Sequence, residues 1–178
     1  MKLFSENIED LRTLFIANLR KALDMEQKIT KALPTMIEKS SDPKLAAAFR
    51  DHLEETRGHV SKVTGLLRAA TGEDSTSTCK AISALISEAE DNIKDATEVN
   101  IRDITLIASA QQVEHHEIAV YGTLRTWAEL LGEDEAANTL ETILSQEKNA
   151  DQLLSNLSDS INTGAVATAE AGRATTRL

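Results

Sequence analysis

The chain has 178 residues, 41% of them hydrophobic, which suits one domain with a substantial buried core. Acids outnumber bases 29 to 19, for a net charge of −10 and a pI near 4.9, and this counts against nucleic acid or an anionic membrane surface as a partner. Aromatic residues make up only 3%, with seven Gly and two Pro, too few for a strand-rich fold, so the composition predicts an all-α protein. Cys79 is the single cysteine, which excludes an intrachain disulfide and a cysteine cluster for zinc or iron–sulfur, and fits a reducing compartment. The first residues turn polar before any signal-like run, and no stretch approaches about 18 continuous apolar residues, so a cytoplasmic protein without a membrane partner is expected.

Apolar residues recur in steps of three and four from Ser5 to about Lys39, through Leu11, Phe15, Leu19, Ala22, Ile29 and Leu33, which predicts a first long helix. Pro34 lies inside that pattern and should kink or interrupt it. Ser40-Ser41-Asp42-Pro43 reads as a break, an N-cap acid and a proline at the first helical position, opening a second helix that runs to about Ala70 and closes at Gly72. Gly58 and Gly65 inside it cost helix stability, and close approach of a neighbouring helix is the expected reason for them. A Ser/Thr-rich loop from Glu73 to Thr78 leads to a shorter crossover helix carrying Ile82, Leu85, Ile86 and Ile93, ending near Ala96. A third long helix runs from about Asn100 to Leu131 with Gly132 as its stop, and a fourth from Asp134 to about Ile161. Residues 1–162 therefore read as one helical bundle, and 163–178, small and polar, as a disordered tail.

Two hairpins of long helices joined by a longer connection suit an antiparallel four-helix bundle of ferritin-like connectivity, with the crossover helix between the second and third long helices. Charged residues then interrupt the inward stripes at mid-length. Glu26 does so on the first helix; Ala48, His52, Glu55 and His59 follow one face of the second; Glu114, with Glu117 one turn on, interrupts the third; Glu147 and Asp151 the fourth. A lone inward Glu is ordinarily an ion-pair partner. Four helices repeating the feature point instead to a shared cation, because clustered carboxylates repel one another increasingly as they lose water. Glu26, Glu55, His59, Glu114, Glu147 and Asp151 are the candidate ligands, with His52, His115 and Glu117 in supporting positions. Oxygen-rich ligation with one or two imidazoles suits iron or manganese, as a pair of ions bridged by carboxylates, better than zinc or calcium.

Four segments, DMEQKITKALPTM (Asp24 to Met36), FRDHLEETRGHV (Phe49 to Val60), QQVEHHEIAVYGTLR (Gln111 to Arg125) and SQEKNAD (Ser145 to Asp151), closely resemble the bacterial YciE/YciF-type stress proteins, a ferritin-like family described as metal-binding. The resemblance implies a five-helix ferritin-like bundle, a homodimer, and the same six residues as ligands. One departure stands out. Di-iron bundles usually carry Glu-x-x-His on two helices, whereas this chain has Glu55-x-x-x-His59 and Glu147-x-x-x-Asp151, which leaves open whether His52 or His59 ligates. The expected function is a stress-associated iron or manganese protein with ferroxidase or peroxide-detoxifying (catalase-like) activity on oxygen or peroxide. The alternative is a non-enzymatic dimeric scaffold with a metal-free polar core, acting through protein partners.

Overall fold

The computed structural model describes the backbone of residues 7–175 and the side chains of 7–163. Among these residues it contains five α-helices and no strand: α1 (Leu11–Lys39), α2 (Pro43–Thr71), α3 (Lys80–Asp95), α4 (Val99–Leu130) and α5 (Asp134–Thr175). No helix among them is long and apolar enough to cross a membrane.

The first helix begins at Leu11, six residues later than the apolar pattern suggests, because Asp10 caps it: its carboxylate accepts from the Thr13 amide at 2.8 Å while the Thr13 hydroxyl accepts from the Asp10 amide at 3.1 Å. Pro34 does not interrupt α1, which continues to Lys39; the proline sits on the exposed side, where the carbonyl left without an amide donor can meet water. Asp42 caps α2 as expected, accepting from the amides of Lys44 (2.7 Å) and Leu45 (3.0 Å), and Gly72 closes the helix in the left-handed region at φ 79°. A Cβ placed on Gly58 or Gly65 would meet nothing within 4 Å, so close helix approach is not what these glycines serve. The last helix does not stop near Ile161: the backbone stays helical to Thr175, through the segment expected to be a tail.

The connections between α1 and α2 and between α4 and α5 are a few residues long, so each pair is an antiparallel hairpin. Contacts between the hairpins set them antiparallel as well. Arg12 at the start of α1 pairs with Glu133 after α4 at 2.6 Å, while Ser41 beyond the end of α1 donates its amide to Asp103 near the start of α4 at 2.9 Å. On the other side His59 and Lys62 of α2 reach Gln146 of α5. The shorter α3 lies against α4 and α1.

Each long helix turns two rows of residues inward at seven-residue spacing, a period that drifts only about 20° per repeat. On α1 the rows are Phe15, Ala22, Ile29 and Leu19, Glu26, Leu33. On α2 they are Leu45, His52, His59 and Phe49, Thr56, Val63. On α4 they are Asp103, Ala110, Glu117, Leu124 and Ile107, Glu114, Tyr121, Ala128. On α5, Leu140, Glu147 and Leu154 form one buried row and Ala137 with Leu144 begins the other. Apart from Asp103 near the start of α4, the layers at both ends are apolar, and the other buried charged residues sit in the middle layers.

Candidate metal centre

Six side chains converge in those middle layers, in two sets whose ligand atoms lie within 4.8 Å of one another: His52, Glu114, Glu117 and Glu147, and Glu26, His59 and Glu147. All six are buried, with Glu26, His59, Glu117 and Glu147 fully so. Glu147 belongs to both sets. The group therefore comprises four carboxylates and two imidazoles, drawn from α1, α2, α4 and α5.

Most of these atoms face one another without hydrogen bonds. Among the described residues, both oxygens of Glu117 and of Glu147, one each of Glu26 and Glu114, both ring nitrogens of His52 and Nδ1 of His59 have no hydrogen-bond partner. His59 Nδ1 is 2.9 Å from Glu147 Oε1 and 3.7 Å from Glu26 Oε1, close to both yet aligned with neither. His52 Nε2 lies 3.3 Å from Glu114 Oε1. Buried polar atoms are nearly always satisfied in native proteins, so this many orphans at one place demand an explanation. A bound cation would satisfy them together.

The bonds that do form lie around the rim of the group. Tyr121 Oη, fully buried, donates to Glu26 Oε1, the oxygen nearer His59, and leaves Oε2 without a partner. His59 Nε2 meets Gln146 Oε1 at 3.1 Å, and the same oxygen accepts from Lys62 Nζ at 3.1 Å. Gln146 thus engages the outer nitrogen of His59 and turns Nδ1 toward the carboxylates.

Electrostatics follow from burial. Loss of hydration pushes Glu26 up from the ordinary carboxylate range, Glu117 well above it, and Glu114 up to about 8, with neighbouring carboxylates adding to each. Burial by itself would depress the imidazoles. The carboxylates outweigh it: Glu55 and Glu114 carry His52 up to about 9, and Glu147 and Glu26 carry His59 up to about 10. Without a cation, then, the centre holds protons that a solvated set of the same residues would release.

Of the six candidate ligands, Glu26, His59, Glu114 and Glu147 are in the group, and His52 and Glu117, expected in supporting positions, join them. Glu55 and Asp151 do not. On α2 the buried rows put His52 and His59 about 20° apart around the axis, and Glu55 falls about 40° beyond His59, outside the buried arc. Its side chain is 43% exposed. Asp151 faces α4, where it accepts from Gln111 Nε2 at 3.2 Å and approaches His115 Nε2, on a largely exposed side chain, at 3.6 Å. The signal for Glu117 was in the sequence: it is seven residues from both Ala110 and Leu124. A similar spacing joins His52 to Leu45 and His59.

Comparison with known proteins bears on the same residues. A model of the family described as "Domain of unknown function (DUF892)" matches residues 10–167. The chain belongs to the DUF892 family. Within reach of that family, Protein YciF of Escherichia coli (strain K12) is 38% identical over 152 residues, covering 85% of this chain and 92% of the relative. The crystal structure described as the E. coli stress protein YciF superposes with a TM-score of 0.84 at 36% identity, over 88% of this chain and 99% of that one. YcfI from Rhodopseudomonas palustris gives 0.83 at 38% identity, over 86% and 98%. The DUF892 match spans all four helices that supply the buried group, so the six residues lie within the family region.

Proposed function

We propose that this chain is a ferritin-like, stress-associated protein that holds two divalent first-row ions, iron or manganese, in its buried carboxylate and histidine group. The observation that carries this reading is Glu147, a fully buried carboxylate with both oxygens unpartnered and a place in both ligand sets. His52, Glu114 and Glu117 would hold one ion, Glu26 and His59 the other, and Glu147 would serve both. Four carboxylates with two imidazoles is the donor inventory of di-iron bundle proteins, although both imidazoles here come from one helix instead of two. Nitrogen and oxygen donors without thiolate favour iron or manganese over structural zinc.

The surrounding residues support the task. Gln146 orients His59, and Tyr121 orients Glu26 by donating to Oε1, which leaves Oε2 without a partner. The apolar layers above and below keep bulk water from the carboxylates, which strengthens their hold on a cation. Bound there, either metal would supply redox chemistry for oxidation of Fe(II) by oxygen or peroxide, or for disproportionation of peroxide.

The raised carboxyls favour one competing reading, a metal-free core in which the acids share protons. Anaerobic loading with Fe(II) or Mn(II) decides between them. The metal reading expects about two ions per chain by elemental analysis, a raised melting temperature, and loss of stoichiometric uptake in Glu147→Ala. Absence of uptake by the wild-type protein would leave the proton-shared core.

A further inference from the structure

Among the described residues, two openings that reach the buried group differ in chemistry. The first, a cavity of about 50 Å³ among α1, α2, α3 and α4, is bordered by Leu33, Phe49, Ile86 and Ile93 on its way to His52 and Glu114. Its only acid besides Glu114 is Glu90 of α3, which is exposed. The second, of about 170 Å³, lies between α2 and α5 and has the exposed residues Asp51, Glu55 and Asn149 along its border, again with His52 and Glu114.

His52 stands at the junction. Its Nδ1 is 3.8 Å from Glu55 Oε2 on the solvent side, and its Nε2 is 3.3 Å from Glu114 Oε1 on the inner side. Neither nitrogen has a hydrogen-bond partner, although the residue is only 7% exposed. The ring thus separates an exposed carboxylate from a buried one, with both of its polar edges uncommitted. Gln146 Nε2 approaches Glu55 Oε1 at 3.4 Å and steadies the outer carboxylate beside the ring.

Resting on the metal-binding reading above, we propose that the α2/α5 pocket is the route by which a hydrated divalent cation reaches the buried group, captured by Glu55 and Asp51 and passed across His52 to Glu114. A divalent ion cannot shed its water into an apolar passage without a large uncompensated cost. It must exchange water for protein ligands stepwise. The α2/α5 pocket offers such steps in order, from exposed carboxylates to an uncommitted imidazole to a buried carboxylate, whereas the other cavity reaches His52 and Glu114 past Leu33, Phe49, Ile86 and Ile93. Glu55 therefore acts on the way to the site and is not one of the final ligands.

Stopped-flow uptake of cobalt(II) by the metal-free protein, followed through the cobalt absorption bands, tests this. Glu55→Gln should slow the bimolecular uptake about tenfold, the scale on which focused charge accelerates association, and flatten its dependence on salt. The final cobalt stoichiometry and spectrum should match the wild type. Asp51→Asn combined with Glu55→Gln should slow uptake further, while Glu90→Gln, at the apolar cavity, should take up cobalt at the wild-type rate. Wild-type kinetics in Glu55→Gln, or slowing by Glu90→Gln in its place, would overturn the route. Fewer bound ions or an altered spectrum in Glu55→Gln would overturn it differently, by making Glu55 a ligand. If the wild-type protein takes up no cobalt, the metal reading falls and this inference with it.

Discussion

His59 Nδ1 lies 2.9 Å from Glu147 Oε1, inside hydrogen-bonding distance, yet the two are not aligned to bond. Both residues are fully buried. A proton can hold such a pair together only imperfectly, whereas a cation bound by both needs no N–H···O line between them.

The titration of these groups predicts how the metal-free protein responds to pH. Glu114 rises from 4.5 to about 8, His52 from 6.5 to about 9 and His59 from 6.5 to about 10, so each binds its proton more tightly folded than unfolded. Their contribution to stability is therefore complete below the unfolded values and is lost as pH rises through the folded ones. Melting temperatures of the metal-free protein should fall as pH rises from about 4.5 to 10, Glu114 contributing between about 4.5 and 8 and the two imidazoles between 6.5 and 10. Loading with Mn(II) should flatten that decline and release protons, which a pH indicator in weakly buffered solution would register.

Glu117 has both oxygens unpartnered and a pKa pushed well above the ordinary range by burial. The variant Glu117→Leu removes that buried carboxyl and should stabilise the metal-free protein by about 1–3 kcal/mol, the cost of an unsatisfied buried polar group. It should also reduce the bound metal. Urea denaturation and elemental analysis on the same preparation would reveal the opposed effects; a variant both less stable and fully loaded would contradict them.

Asp103 is buried near the start of α4 and accepts from the amides of Ser41 and Asp42, each at 2.9 Å, and from the Ser41 hydroxyl. It pins the α1–α2 connection to α4. Hydrogen bonds to a charged group are worth about 1.5–3 kcal/mol, so Asp103→Ala should lower the denaturation midpoint by that equivalent. Metal stoichiometry should be unchanged, since Asp103 is in neither ligand set.

Gly65 lies within α2 on an exposed face with nothing within 4 Å of an added Cβ. Gly65→Ala should stabilise the protein by about 0.5–1 kcal/mol by restricting the unfolded chain and improving helix propensity. Thermal denaturation would detect it, and a destabilised variant would point to a contact of this face that the isolated chain lacks.

Much of this protein was readable from one dimension. Helix count, hairpin order and the positions of Asp42, Gly72 and Gly132 follow from local chemistry: caps, left-handed glycines and apolar periodicity act over a few residues and need no distant partner. The inward placement of Glu26, Glu114, Glu147 and His59 was legible for a similar reason, since each interrupts an apolar row. Helix rotation was not. Mixed steps of four, three and four along α2 group Ala48, His52, Glu55 and His59 on one face, yet Glu55 falls about 40° beyond His59 around the axis, while the seven-residue row from His52 to His59 drifts only about 20°. Asp151 illustrates a second limit, for its spacing from Leu144 puts it on an inward row, yet in the fold it accepts from Gln111 of α4 and lies in neither ligand set. The residues thus determined which helices would carry acid and imidazole at mid-length. Which of those side chains meet depended on how four helices rotate against one another, a property of packed surfaces that no single helix contains.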